Sequence, residues 1–177
     1  MEIFDLYTRD RIPTGKTMVR GNKPPKDTYR MVVHLAILNG NKMLIQRRSF
    51  ESKSWTGMWD ISCGGSALAG EKSFEAMQRE TYEELGLNID FSNIRPFSTT
   101  YFDEGFDDLY VIEKDVDLKD LVLQKEEVCD AKWATKEEIK DMIINGEFVL
   151  YYLSEIDYIF EKRSSLDRPI YNGKVVR

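Results

Sequence analysis

Residues 65–87 read Gly65-Ser66-Ala67-Leu68-Ala69-Gly70-Glu71-Lys72-Ser73-Phe74-Glu75-Ala76-Met77-Gln78-Arg79-Glu80-Thr81-Tyr82-Glu83-Glu84-Leu85-Gly86-Leu87. The second half has the period of a helix. Phe74, Met77, Thr81 and Leu85 recur every three or four residues and form one mostly apolar face, which the core must cover. Glu80, Glu83 and Glu84 fall at i, i+3 and i+4 on the neighbouring arc, so three carboxylates share one face. Like charges at that spacing repel, and the arrangement costs stability unless a cation sits among them. A hard divalent ion such as Mg²⁺, which takes oxygen ligands, suits that place. Ser73 is the expected N-cap, Glu75 suits the first turn, and Gly86 suits the left-handed residue that ends the helix. Gly64-Gly65, just before it, permit a tight turn or a close approach of backbone to a ligand.

Upstream of this stretch, Glu2 to Tyr7 alternates apolar and polar residues and reads as a short strand. Residues 8–30 show no periodicity. They carry Arg9, Arg11, Lys16, Arg20, Lys23, Lys26 and Arg30 against Asp10 and Asp27, with Pro13, Gly15, Gly21, Pro24 and Pro25. This composition predicts a loop-rich, solvated connection, and the alternative is a basic flap over an anionic substrate. Tyr29 to Leu38 and Lys42 to Arg48 read as strands joined by the hairpin signal Asn39-Gly40-Asn41.

Downstream, Asn93 to Phe102, Leu109 to Lys114 and Val128 to Ala134 read as strands, with the acidic loop Asp103 to Asp108 between the first two. Thr135-Lys136-Glu137-Glu138 has the form of a capping box opening a helix with Ile139, Met142 and Ile143 inward, ending at Gly146. Val149 to Phe160 reads as a last helix, and the chain beyond Arg163 as a polar, loosely held tail. Strands mixed with two or three helices, without regular alternation, predict an α+β class, a mixed α/β/α sandwich.

The 177 residues suit one domain over 1–177, with a core over about 29–163, an N-terminal strand and basic loop over 1–28, and a tail over 164–177. Hydrophobic residues at 42% and charged residues at 32% place the chain among globular proteins, not disordered ones. A net charge of −6 argues against general nucleic-acid binding. Two cysteines, Cys63 and Cys129, fit a reducing compartment and exclude a disulfide scaffold or Cys-rich zinc site. The start lacks a leader pattern, and the most apolar run, Met31 to Leu38, is too short to cross a membrane and contains His34. A cytoplasmic protein without membrane partners is expected.

The 65–87 stretch resembles the Nudix box: Gly, five residues, Glu, seven residues, Arg-Glu, an aliphatic residue, any residue, Glu-Glu, any residue, Gly, an aliphatic residue. Gly65, Glu71, Arg79, Glu80, Glu83, Glu84, Gly86 and Leu87 match in register. Thr81, where an aliphatic residue is usual, departs from the pattern, but it lies on the packing face and touches stability more than chemistry. The resemblance, over about residues 29–146, implies a mixed sheet between helices with the box as a loop–helix–loop. It also implies hydrolysis of a diphosphate bond in a small molecule, a nucleoside diphosphate linked to another moiety, with Mg²⁺ or Mn²⁺. It puts the metal mainly on Glu80 and Glu84, with Glu83 close by and the Gly65 carbonyl also used, while Glu71 and Arg79 brace the loop and helix. Glu83, Glu84 and Arg79 thus belong to the catalytic set. A general base in this superfamily comes from the box or a later loop. In Gln124-Lys125-Glu126-Glu127-Val128 the candidate is Glu127, with a plain surface acid as the alternative. Asp107 and Asp108 are lesser candidates. Many relatives pair, so a homodimer is compatible with the resemblance.

A narrower resemblance runs through Arg47-Arg48-Ser49, Trp55-Thr56-Gly57-Met58-Trp59 and Ser62-Cys63-Gly64-Gly65, which look like the approach to the box in isopentenyl-diphosphate isomerase, a branch of the same fold. It implies Arg48 and Lys53 near a diphosphate, with Trp55 and Trp59 as pocket wall or plain core. That enzyme uses a cysteine just before the box glycine and a histidine just after it. Gly64 and Ser66 stand there instead, and Cys63, one position early on a strand, is expected on the other face. The single histidine, His34, sits in an apolar strand and is expected to pack, not to ligate. The isomerase is therefore the alternative to a hydrolase. A non-catalytic nucleotide sensor is a third reading, which the intact box disfavours.

Overall fold

The computed structural model describes residues 2–52 and 54–162, together with 170–171 and 174–175. The chain opens with an antiparallel hairpin of β1 (Ile3–Tyr7) and β2 (Pro13–Val19). A mixed sheet follows, built from β3 (Arg30–Asn39), β4 (Lys42–Arg48), β5 (Trp59–Asp60), β6 (Cys63–Ser66), β7 (Ser98–Phe102), β8 (Gly105–Glu113) and β9 (Val128–Thr135). Its path is β5-β4-β3-β8-β7, with β6 paired to β3 and β9 to β4. β3 and β8 run parallel, from Arg30 beside Gly105 to Leu38 beside Glu113. β3 and β4 meet over a short hairpin, Ile37–Asn39 against Lys42–Leu44, which frees the first half of β3 to pair with β6.

Alternation along β3 gives each face its own core. Val33, Leu35 and Ile37 join Leu44, Ala76, Met77, Leu85, Phe91 and Tyr110 under α1 (Ser73–Leu85). Ala36 and Leu38 join Met43, Ile45, Ile61, Ile139, Phe148 and Ile156 under α2 (Lys136–Ile144) and α3 (Leu153–Lys162). The result is the expected α+β arrangement, a mixed sheet between helices. α2 carries the predicted capping box: Glu138 N–H donates to Thr135 Oγ1 at 3.3 Å and Thr135 N–H to Glu138 Oε2 at 2.7 Å.

Four local expectations are corrected. Residues 8–30 hold a strand, β2, where a connection was expected. Its side chains lie mostly toward solvent, with only Met18 buried, so no alternation marked it, and Pro13 is tolerated as its first residue. Its hairpin nevertheless holds the start of the box: Ala69 N–H donates to Ile3 O at 2.8 Å and Gly70 N–H to Asp5 Oδ2 at 2.7 Å. The 93–102 strand shrinks to β7, because residues 91–94 turn (Ile94 N–H to Phe91 O, 3.0 Å) and Pro96 follows. The last helix begins at Leu153, not Val149, since Trp59 already occupies that backbone: its N–H donates to Glu147 O and its O accepts from Val149 N–H, both at 2.8 Å. The first residue of α1 is Ser73 itself, preceded by Lys72 as cap. Glu75 accepts from Lys72 N–H at 2.8 Å, and Ser73 Oγ instead meets Tyr110 Oη at 2.8 Å. The polar tail predicted past Arg163 lies largely outside the described residues.

Gly86 ends α1 as predicted, in left-handed backbone at φ +71° with its N–H on Tyr82 O at 2.9 Å. A Cβ there would come within 2.7 Å of Val122 Cβ and 3.0 Å of Val122 N. Gly86→Ala is therefore expected to destabilise the protein by about 1–3 kcal/mol, from backbone strain and overpacking together, as a lower midpoint in urea with unchanged slope.

Candidate active site

Glu80 and Glu84 lie one turn apart on α1 and turn inward, leaving residues only 8% and 2% exposed. Against them run β6 and β4. Glu84 Oε2 accepts from Gly64 N–H at 3.2 Å and from Gln46 Nε2 at 2.9 Å. Glu80 Oε1 is 2.9 Å from Arg79 Nη1. A Cβ on Gly65 would overlap the Glu80 carboxylate, so glycine is what lets bare backbone meet that acid. Burial pushes the Glu84 carboxyl up, and the charges of Glu80 and Glu127 add to it, to about 8. Burial also lifts Glu80, against the pull of Arg79, to about 7. Two acids are thus held together in a dry place, and the donors on Glu84 are neutral.

Arg79 is the brace foreseen for it. Its Nε and Nη2 meet Glu71 Oε1 and Oε2 at 2.7 and 3.0 Å, its Nη2 donates to Ser66 O at 3.1 Å, and its Nη1 reaches Glu83 Oε2 at 2.9 Å. One guanidinium therefore ties the loop after β6 to the helix, in the forked geometry that carboxylates match. Glu83 stands on the outer side of this brace with its side chain 46% exposed, not between Glu80 and Glu84. Glu127 comes to the pair from elsewhere. The chain at 122–124 runs along the end of α1, Val122 N–H donating to Leu85 O at 3.0 Å and Gln124 N–H to Glu84 O at 3.3 Å. Glu127 follows in the turn just before β9, close enough for its charge to raise both Glu80 and Glu84.

The remaining candidates are less direct. Arg48 donates from Nε to Ser54 O at 3.1 Å and lies 3.5 Å from the buried Asp60, which also accepts from Tyr151 Oη at 3.0 Å. Trp59 is 9% exposed and packs in the α2/α3 core, with the Lys132 ammonium 4.4 Å from its ring centroid. Lys53 lies outside the described residues. Trp55 is exposed, at φ +51°. Two cations of the basic segment are spent on structure: Arg11 pairs with the buried Asp108 at 2.7 Å and Arg20 with Glu2 at 2.7 Å. That pairing also withdraws Asp108 as a base.

Cys63 is fully buried on the α1 side, its Sγ 3.5 Å from Thr81 Oγ1, and burial pushes its thiol well up. The one-position offset has flipped it away from Gly64's side of the sheet, as predicted. Thr81 is buried too, and its hydroxyl donates to Met77 O at 2.7 Å, which explains how a polar residue serves on the packing face. Cys63→Ala is expected to leave turnover within about twofold and to cost only about 1 kcal/mol for the small void. Initial rates and a urea titration check both.

Three features escaped the sequence reading. Gln46 grips Glu84 while its own Oε1 is buried without a partner. Asp60 and Tyr151 form a buried polar contact. His34 is not simply packed: its Nδ1 is 2.7 Å from Asp107 Oδ2. Burial disfavours its imidazolium, but the Asp107 charge and hydrogen bond outweigh that and hold it up at about 9. None had a local signal, because each pair joins residues distant in the chain.

Among the described residues, no three His, Cys, Asp or Glu side chains close into a full metal cage. Mg²⁺ does not need one, since it takes one or two carboxylates and completes its shell with water and substrate phosphates. Two buried, mutually repelling carboxylates beside bare glycine backbone suit that chemistry.

Residues 28–152 match the sequence model of the NUDIX domain. The chain belongs to the Nudix family. It is 46% identical over 153 residues to an uncharacterized Nudix hydrolase of Listeria monocytogenes, covering 86% of this chain and 90% of the relative. It superposes on a crystal structure from Deinococcus radiodurans with a TM-score of 0.72 and 25% identity, over 88% and 96% of the two chains. Similarity to the isomerase branch is also found, at 36% identity over 56 residues with an isopentenyl-diphosphate Delta-isomerase of Cutibacterium acnes, covering 32% of this chain and 28% of the other. The chain is a Nudix hydrolase, of a family that acts on nucleoside diphosphate-linked substrates and generally uses divalent metal ions. Among the described residues, no helix is long and apolar enough to cross a membrane.

Proposed function

We propose that this Nudix hydrolase cleaves the diphosphate bond of a small nucleoside diphosphate derivative, using Mg²⁺ or Mn²⁺ held by Glu80 and Glu84. The observation that carries this reading is the buried Glu80–Glu84 pair against the bare backbone of Gly64 and Gly65. When bound, the ion neutralises the diphosphate and makes its bound water more acidic. The chain's own groups hold the donors in place. Gln46 and the Gly64 N–H fix Glu84, while Arg79 fixes Glu80 and ties it to Glu71. Glu127, whose charge is felt by both acids, is the group proposed to accept the proton of the attacking water. The Gly65 carbonyl is a further oxygen donor, and Glu83 supports Arg79 from outside.

The isomerase reading is the weaker one, since Gly64 offers no thiol and Cys63 faces the α1 core. The test is phosphate or nucleotide release from nucleotide sugars, ADP-ribose, dinucleoside polyphosphates and coenzymes, with Mg²⁺ or Mn²⁺ and with chelator. Metal-dependent release from at least one compound supports the reading. Isomerisation of an isoprenoid diphosphate without hydrolysis of any would overturn it.

A further inference from the structure

His34 lies on β3 directly across the ladder from Gly64. By the alternation of β3, it shares a sheet face with Ala36 and Leu38, away from α1. The edge of its ring covers Gly64 so closely that a Cβ at residue 64 would overlap Cδ2. Gly64 in turn donates its N–H to Glu84, so one glycine separates the imidazole from a metal-pair carboxylate. On the far side, Asp107 comes from β8, placed by the parallel register that sets it beside Val32. Its Oδ2 takes the Nδ1 side of the ring at 2.7 Å, which fixes the ring's orientation and aims Nε2 away from Asp107.

One observation points to a ligand here. The ring is held by a carboxylate yet its side chain stays 24% exposed, and among the described residues its Nε2 makes no hydrogen bond. With the Nδ1 edge taken by Asp107, the imidazolium form presents Nε2–H outward as a donor, one glycine from the Glu84 carboxylate.

We propose that His34, oriented by Asp107, is a substrate-binding residue of this hydrolase, whose Nε2–H donates to a diphosphate oxygen across Gly64 from Glu84. This rests on the hydrolase reading above. Glycine at residue 64 is then required twice, to give its N–H to Glu84 and to leave room for the ring.

The probe is methylenediphosphonate, a diphosphate mimic whose P–C–P bridge cannot be hydrolysed, titrated calorimetrically with Mg²⁺ present. His34→Phe keeps the ring and removes the donor. It is expected to weaken the mimic by about 10- to 100-fold, as for loss of a hydrogen bond to a charged group, while Mn²⁺ affinity stays within about twofold. Asp107→Asn leaves the imidazole in place without its carboxylate and is expected to weaken the mimic by about threefold or more; it carries the test if the Phe variant does not fold. His34→Gln, which restores an N–H donor, is expected to recover part of the loss. Unchanged binding in His34→Phe, or in Asp107→Asn where that variant stands in, overturns the proposal and leaves the hydrolase reading intact. An equal loss of Mn²⁺ affinity overturns it too, since the effect would then pass through the metal pair. Failure of the unaltered protein to bind the mimic with Mg²⁺ present would overturn both.

Discussion

Glu84→Gln is expected to lower metal-dependent release from any substrate of this protein by about 10³-fold or more, with no loss of fold. The residue is 2% exposed, and the carboxylate is held by one backbone and one side-chain N–H. The amide has the same shape and keeps an oxygen to accept from Gln46 or Gly64, so packing is preserved. It cannot carry charge, so the pair loses half its attraction for a divalent ion, and losses of this size follow when a charge-stabilising group is removed from a site. The variant should also melt no lower than the parent without metal, because burial makes the Glu84 charge unfavourable. Initial rates and thermal melts with chelator give the two readouts. Loss of activity with a large fall in melting temperature would mean a structural role for Glu84 instead.

The second large effect is a pH dependence of stability that metal should erase. Burial raises Glu80 to about 7 and Glu84 to about 8 in the folded, metal-free protein. The unfolded chain titrates these groups near the ordinary carboxylate value of about 4.3. A raised folded value means that the folded state binds the proton more tightly. The contribution to stability is then fully present below the unfolded value and lost as pH rises through the folded one. The metal-free protein should therefore weaken between about pH 4.5 and pH 8. The loss is seen as a melting temperature that falls across that window. Excess Mg²⁺ should flatten the slope at the alkaline end by compensating both charges, and Glu84→Gln should remove the Glu84 share. A metal-free melting temperature that rises from pH 5 to pH 8 would contradict the buried-pair description.

What could be read from residues alone was what is local. α1 was visible because Met77, Thr81 and Leu85 repeat at helical spacing and Gly86 marks the end. The β3–β4 hairpin was visible through Asn39-Gly40-Asn41, and α2 through its capping box. The family pattern then assigned Glu80, Glu84, Gly65 and Arg79 to places the structure brings together. It grouped Glu83 with the metal pair, but Arg79 draws that side chain outward. β2 was hidden because a hairpin arm with one buried side chain has no hydrophobic period to display. The start of α3 was hidden because Val149 is apolar in either state, and its pairing with Trp59 is a tertiary choice.

The polar pairs were hidden for a simpler reason. His34 and Asp107 are 73 residues apart, and only the parallel β3–β8 register joins them. Gln46 and Glu84 are 38 residues apart, on different elements. An apolar run such as Met31 to Leu38 makes its one histidine look like filler until its cross-strand partner is known. Trp59 shows the converse. An aromatic residue near a diphosphate site suggests a pocket wall, and the fold uses this one mainly to join β5 to the α2/α3 core.

The claim on which the rest depends is that Glu80 and Glu84 together hold a divalent ion. Mn²⁺ binding, followed by the paramagnetic signal of the free ion, tests it without a known substrate. The account predicts saturable uptake by the unaltered protein, loss of most of that affinity in Glu80→Gln or Glu84→Gln, and little change in Cys63→Ala. Uptake of Mn²⁺ by the Glu80→Gln, Glu84→Gln double variant with the affinity of the parent would contradict it.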